Sequence, residues 1–389
     1  MKILVALTYY RPWVSGLTIY VERLSKSLAA RGHHVTILTS QFEKGLLREE
    51  VLDGVHILRV PVAFRVSKGV VMPTIGLEAT RQVLHHDVIS IHLPQLDAWG
   101  IALRGRLLGK PTVLTYHCDL HLPKGLINFA ANHVVKVANR VAAWLSDRVV
   151  AYTEDFAVNS PFLSRYLHKL VVVSPPVEVT KPEAEALEAF TDMHVRGHTP
   201  VIGIAARLAT EKGVEYLLGA MEQILVAYPR AMVLFAGQHE EVLGEAEYHN
   251  RLLPLFEKFA DQWRFLGILA PDEMASFYQA CDVTVLPSVN STESFGLVQI
   301  ESMICGTPVV ASNLPGVRQP VMITGMGKVV PLRDSDAIAE AILEILHHPE
   351  SFSGDTGMIE EQFSPMKTAE RYEELFQNLL KYKGRSSKS

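Results

Sequence analysis

Cysteine is scarce in this chain: Cys118, Cys281 and Cys305 are the three in 389 residues. An odd count, at spacings that fit neither a zinc site nor a disulfide framework, argues against a stapled secreted scaffold and for a reducing, cytoplasmic compartment. Long hydrophobic runs are missing too. No stretch approaches the ~20 uncharged apolar residues of a membrane-spanning helix. The apolar run at 3–7 is too short for a secretory signal core and passes straight into Tyr9, Tyr10 and Arg11, so it reads as a first strand. Positive charge is not in excess: 37 Lys and Arg against 42 Asp and Glu leave −5, whereas a nucleic-acid binder carries a strongly basic domain. Three glycine signatures are also absent. No G-x-G-x-x-G follows the first strand, no Walker A sequence occurs, and there is no G-x-S-x-G elbow. A nicotinamide dehydrogenase, a P-loop phosphoryl transferase and an α/β-hydrolase are each disfavoured on that ground.

What is present is the composition of a packed protein, 48% hydrophobic and 20% charged, in a chain too long for one ordinary core. Two domains are expected. Residues 3–8, 34–39, 55–62, 88–92, 112–116, 148–152 and 170–173 are short β-branched runs with helical spacing between several of them. In 17–30, Ile19, Tyr20, Leu24 and Leu28 recur on related turns and Gly32 closes the helix. Runs apolar throughout, rather than alternating, suit parallel strands covered on both faces. Pro175-Pro176 interrupts the series, and a charged stretch without strand signal follows at 178–198. A second series places strands at 201–205, 232–236, 264–266, 283–286, 308–311 and 328–330, with helices at 214–227, 247–259, 271–280, 296–305 and 336–347. A last helix at 367–382 follows no further strand. The tail from Gly384 to Ser389 reads as disordered. The expected class is α/β, with doubly wound domains at 1–175 and 200–362, a connecting segment at 176–199 and a terminal segment at 363–389. Ligands in such sheets bind outside the carboxyl ends of the strands, so strand-to-helix turns are the places to inspect.

Four turns stand out. Glu293-Ser294-Phe295-Gly296-Leu297 leads from a strand into a helix that carries Glu301, roughly 7 Å further along the axis than Glu293's end. Amides near Phe295, Gly296 and Leu297 suit phosphate or sugar oxygens at the positive end of that helix. The two carboxylates can accept from hydroxyls at opposite ends of one elongated ligand; a plain capping loop explains the spacing equally well. Arg207 and Lys212 flank a second strand-to-helix turn, where a planar fork and a mobile point charge can neutralise a diphosphate. A solvated loop with Glu211 between them is the plainer reading. His117 follows a strand in the first domain and can hydrogen-bond a sugar hydroxyl, or serve the structure alone, with Asp119 beside it. Gly16 opens the first helix and permits close backbone approach, or only the turn.

The segment 124–148, from Lys124 to Arg148, is long and mostly apolar, with His133, Lys136 and Arg140 at helical spacing. It can rest on anionic lipid as a peripheral contact, or be a core helix with a solvated cationic stripe.

Taken in order, these pieces resemble family 4 of the retaining glycosyltransferases. Ser15-Gly16 with Tyr20-Val21-Glu22-Arg23-Leu24 and Gly32-His33-His34-Val35-Thr36 is similar to the family's opening loop and helix, and Pro175-Pro176-Val177 to its interdomain segment. Arg207 with Glu211-Lys212-Gly213, then Phe265-Leu266-Gly267, Leu286-Pro287-Ser288, the two-glutamate motif and Cys305-Gly306-Thr307-Pro308-Val309-Val310-Ala311-Ser312 follow in the family's order. Departures are Ser15-Gly16-Leu17 for two adjacent glycines, Gly237-Gln238-His239 for a glycine-rich turn, and Pro365 for an aromatic. The resemblance implies the GT-B fold, two Rossmann-like domains facing across a cleft, with the last helix crossing back to the first domain. It implies that Arg207 and Lys212 bind the donor diphosphate, that Glu293 contacts the sugar and that Phe295, Gly296 and Leu297 present amides to sugar and phosphate. Glu301 would hold the ribose, His117 the sugar near the reacting carbon, and Gly16 the phosphate. The implied reaction moves a hexose, with retention, from a UDP- or GDP-sugar to a glycan or lipid-linked acceptor in envelope polysaccharide or glycolipid synthesis. No metal or cofactor is expected beyond the nucleotide sugar as co-substrate. Rival readings are a sugar-nucleotide epimerase or phosphorylase on the same fold, and a non-catalytic sugar-nucleotide sensor. A glycogen-type phosphorylase needs a lysine for pyridoxal phosphate that the sequence does not reveal.

Overall fold

A computed structural model of the chain describes residues 1–66, 69–119, 126–242 and 244–386. It divides into two compact units, one formed by Met1–Pro176 with Phe363–Ser389 and one by Val177–Gln362.

The first unit is built on an eight-stranded sheet. In spatial order the strands are Leu170–Val172, Arg148–Ala151, Thr112–Tyr116, Val88–Leu93, Lys2–Ala6, His34–Gln41, Val55–Pro61 and Glu49–Leu52. The chain starts mid-sheet, steps outward on one side, and returns to the other with Val88–Leu93, so the switch point lies between Lys2–Ala6 and Val88–Leu93. Neighbours run parallel except Glu49–Leu52, an antiparallel edge. All six residues of Val88–Leu93 are buried, as expected of a parallel strand covered on both faces. A separate antiparallel ribbon pairs Phe64–Val66 with Gly69–Val71.

Helix Gly16–Ala30 starts at Ser15, whose Oγ accepts from the Thr18 amide at 3.2 Å, and buries Tyr20, Val21, Leu24 and Leu28. The final helix, Pro365–Ser386, packs on it. Tyr372 Oη lies 2.9 Å from Tyr20 Oη and 2.7 Å from Thr115 Oγ1, and Arg31 pairs with Glu373 at 2.7 Å. This corrects the reading of the tail. Gly384 to Ser386 complete the helix, because Lys383 ties its last turns to the Lys110 carbonyl at 3.0 Å and to Asp147 at 2.8 Å. Ser387 to Ser389 lie outside the described residues.

The second unit holds six parallel strands in the order Trp263–Gly267, Met232–Ala236, Val201–Ala205, Val283–Leu286, Val309–Ser312 and Gly327–Val330. Numbered along the unit this is 3-2-1-4-5-6, the doubly wound nucleotide-binding order. Residues 177–199 belong to this unit instead of standing apart as a connector. Helix Ala184–His194 turns its acids outward and lays Phe190, with Val195 just after it, against Val201, Met232, Phe277 and Tyr278. One buried side chain in eleven residues, Phe190, makes no apolar stripe to announce such a helix.

Candidate active site

Strand Val201–Ala205 of the second unit pairs with Val283–Leu286 through Ile202–Val283 and Gly203–Thr284, although some eighty residues separate them in sequence. Between these two strands the winding reverses, and the loops leaving their carboxyl ends, 206–213 and 287–296, meet. The Val289 amide donates to the Glu211 carbonyl at 3.0 Å. Gly213 sits at φ +63°, and a Cβ there would overlap the Pro287 carbonyl oxygen and come within 2.8 Å of Val289 Cγ1. Only glycine lets the loops close to this separation.

The contact sets the charges. Lys212 ends a short 3-10 turn, its amide donating to the Ala209 carbonyl at 2.8 Å, while the Thr210 amide and hydroxyl both donate to Glu245, at 3.0 and 2.7 Å. So held, Lys212 Nζ donates to Glu293 Oε2 at 2.5 Å, both side chains less than one-fifth exposed. An ammonium has three donors, so Lys212 can serve Glu293 and a phosphate together. Arg207 donates to Glu211 at 3.1 Å and is 52% exposed, which makes the pair a weak contributor to stability and leaves the guanidinium open to an anion.

Helix Leu297–Ile304 begins at Gly296, φ +79°, where a Cβ would press on Leu286 and on Gln299. The Gln299 side-chain amide braces the turn by donating to the Phe295 carbonyl at 2.7 Å and the Val317 carbonyl at 2.8 Å. Phe295 is only 2% exposed, so its ring anchors the turn and leaves the backbone to face a ligand. The Gln299 amide donates to the Gly296 carbonyl at 3.0 Å, the Leu297 and Val298 amides stand ahead of it at the helix start, and the dipole favours a negative charge there. Within the helix, Glu301 Oε2 accepts from Tyr278 Oη at 3.0 Å. Sequence reasoning passed over Tyr278, a buried aromatic on helix Pro271–Ala280 that looks like any other core residue.

Gly16 and His117 lie in the first unit. Gly16 is the first residue of its helix, with nothing within 4 Å of where a Cβ would stand. His117 is buried just after strand Thr112–Tyr116. Its Nε2 lies 2.9 Å from His92 Nδ1, its Nδ1 bonds Tyr152 Oη, and Tyr20 packs edge-on at 4.8 Å. His92 Nε2 lies 3.1 Å from Ser90 Oγ. Burial pushes the pKa of His92 down to about 3, and burial reinforced by His92 holds His117 well below the usual histidine range, so both rings are neutral. A role for His117 at a sugar hydroxyl requires its ring to exchange one of these partners. Ser90 and His92, polar residues at alternate positions of an apolar strand, were the sequence signal for this network.

The chain matches two family models: glycosyltransferase family 4 over residues 14–181 and glycosyl transferases group 1 over residues 189–376. It is 29% identical to the 2-deoxystreptamine N-acetyl-D-glucosaminyltransferase of Streptomyces fradiae, over 84% of this chain and 82% of that one. It is 24% identical to the phosphatidyl-myo-inositol mannosyltransferase of Mycolicibacterium smegmatis, over 87% and 83%. Among solved structures, Anabaena HepE in complex with UDP-glucose superposes with a TM-score of 0.75 at 18% identity, covering 97% of this chain and 100% of that one. Two Rossmann-like units of this kind are the GT-B fold of glycosyltransferases. With one family model on each unit, and both strand orders in agreement, the chain belongs to the group 1, family 4 glycosyltransferases.

Proposed function

We propose that the chain is a retaining, metal-independent hexosyltransferase. It takes a hexose from a UDP- or GDP-sugar and passes it to a glycan or lipid-linked acceptor in envelope polysaccharide or glycolipid synthesis. The observation that carries the reading is the Lys212–Glu293 contact, with Arg207 on the same loop and the start of helix Leu297–Ile304 directly after Glu293. Two cations and a helix terminus supply positive potential where a leaving diphosphate gains charge, and a carboxylate at the same point can accept from sugar hydroxyls. The name of one relative, a phosphatidyl-myo-inositol mannosyltransferase, supports a lipid-linked acceptor, while another is named for a small aminocyclitol. HepE bound to UDP-glucose supports the donor class. Three cysteines at spacings that fit no disulfide framework suit a cytoplasmic setting.

In this reading Arg207 and Lys212 hold the diphosphate, amides near Phe295, Gly296 and Leu297 meet phosphate and sugar, and Glu301 holds the ribose. Gly16 and His117 take the roles the resemblance implies, at a phosphate and at a sugar hydroxyl. As the anomeric C–O bond breaks, its electron pair goes to the diphosphate. The acceptor oxygen bonds the anomeric carbon from the same face, and its proton passes to the departing phosphate oxygen. The product anomer, read by NMR, tests this step: inversion rules it out.

A donor present at about one hundred times its Kd stabilises a protein by about 2.7 kcal/mol. A thermal-shift panel of UDP- and GDP-sugars therefore identifies the donor, and no shift with any member overturns the reading. For Glu293→Ala the expected result is a fall in kcat of about a hundredfold with KM little changed, since its hydrogen bonds strengthen as the sugar acquires charge. Unaltered transfer excludes that role. For Tyr278→Phe, which removes one hydrogen bond from Glu301, KM for the donor rises about fivefold while kcat holds. The same variant is expected to discriminate less between ribose and 2′,3′-dideoxyribose donors, a change that simple loosening of the core does not produce.

A further inference from the structure

Helix Leu126–Leu145 of the first unit distributes its side chains against the usual pattern. Among those described, the inner face is mostly small: Ala138, Ala142 and Ala143 are buried with Asn139 and Leu145, and the helix packs on Ala98–Leu107. The bulkier apolar side chains point outward, with Val134 56%, Val137 44%, Val141 37% and Trp144 71% exposed. Positions 134, 137, 141 and 144 recur every three or four residues and form one stripe. A core helix would turn these residues inward and its alanines out.

Charge accompanies the stripe. The twenty residues of the helix contain no Asp or Glu, while His133, Lys136 and Arg140 are exposed along the row beside the stripe. Past the helix end Arg148 is exposed, and Lys169 donates to the Ala143, Trp144 and Ser146 carbonyls at 2.5, 3.2 and 2.9 Å. Burial holds the Lys169 pKa below the usual lysine value. Arg106 and Arg148 lower it further and Asp147 opposes them, which places more cations at this end. Asp147 is itself paired with Lys383. Lys124 and Gly125, the start of the segment marked in the sequence, lie outside the described residues.

We propose that this face rests on an anionic lipid surface, with the valine stripe and Trp144 at the depth of the headgroups and His133, Lys136, Arg140 and Arg148 against lipid phosphates. Valine and tryptophan beside cations form the pattern that binds in the plane of a bilayer, and tryptophan favours the interface itself. A second copy of the chain fits less well. A two-fold contact would set this cationic face against itself with no acid on the helix to pair it. No helix among the described residues is long and apolar enough to cross a membrane, so the contact lies along the surface. The inference is independent of the donor site.

The test is co-sedimentation of the full chain with vesicles of phosphatidylcholine alone and of phosphatidylcholine with about 30% phosphatidylglycerol. Binding is expected to be at least about tenfold tighter on the anionic vesicles and to weaken as salt rises to about 0.5 M. The double variant Lys136→Glu, Arg140→Glu is expected to lose about 25-fold or more, at roughly fivefold for each cation removed. Because both residues are exposed, its melting temperature should match the wild type. Independently of any fold change, anionic vesicles should shift tryptophan emission to the blue in the wild type, and Trp144→Phe should abolish that shift while still binding. No binding, equal binding to neutral vesicles, or indifference to the charge reversals overturns the proposal. So does concentration-dependent dimerisation, without vesicle binding, that Trp144→Ala removes.

Discussion

Replacing Arg207 and Lys212 together with alanine is expected to lower sugar transfer by about a thousandfold, a loss in the range that follows removal of groups stabilising a developing anion. The two single variants should differ. Lys212 is 19% exposed and anchored by Glu293, whereas Arg207 is 52% exposed on the rim of its loop. A charge drawn out of water acts more strongly on its neighbour, so Lys212→Ala should account for most of the loss and Arg207→Ala for the smaller share. Lys212→Ala also leaves the Glu293 carboxylate half-buried without its cation, which adds repulsion toward an incoming diphosphate to the missing attraction. Lys212→Arg is not a rescue, because a rigid fork cannot take the place of a point charge at this separation. Single-turnover transfer with saturating donor is the measurement. A double variant within tenfold of wild type removes the foundation of the catalytic reading.

Gly213→Ala is expected to be the most damaging small substitution in the second unit. The residue is in the left-handed region, and its new methyl group would run into the Pro287 carbonyl and Val289. Backbone strain and overpacking together predict a loss of about 3 kcal/mol and a Tm lower by roughly 6–10 °C. Gly306→Ala is the matched control. It too has positive φ, +89°, but a Cβ there meets nothing within 4 Å, so only the strain of about 1 kcal/mol applies. The difference between the two melting curves isolates the contact that joins loops 206–213 and 287–296. Because that contact sets the distance from Lys212 to Glu293, Gly213→Ala should weaken donor binding even at temperatures where the unit remains folded. Equal effects from the two alanines would mean that the loops part without consequence.

How much of this could be read in advance depends on how locally each feature is encoded. Interior strands such as Met232–Ala236 are apolar along their whole length because both faces are covered, and they stand out from any flanking loop. Glu49–Leu52 does not, since it borders solvent and opens with two glutamates. Arg207, Lys212 and Glu293 announced themselves as charges at strand-to-helix turns. That Lys212 should touch Glu293 was not legible, because it follows from Val201–Ala205 lying next to Val283–Leu286, a pairing that no short-range pattern specifies. Tyr278 and the surroundings of His117 were hidden for a similar reason. Tyr278 approaches Glu301 from another helix, and His117 meets Ser90's partner His92, Tyr152 and Tyr20 from two strand ends and a helix. The resemblance supplied roles for single residues but not the partners that hold them.

The first unit is closed by Phe363–Ser389, residues translated after the whole of Val177–Gln362, which is one continuous piece. During synthesis every strand of the first unit's sheet emerges before any strand of the second, yet the second unit is the first to have its whole chain available. The first must wait, its helix Gly16–Ala30 lacking the cover of Pro365–Ser386, until Tyr372 leaves the ribosome and reaches Tyr20 and Thr115. A stop codon just after Gln362 would spare the second unit and cripple the first, although every strand of the first had already been made.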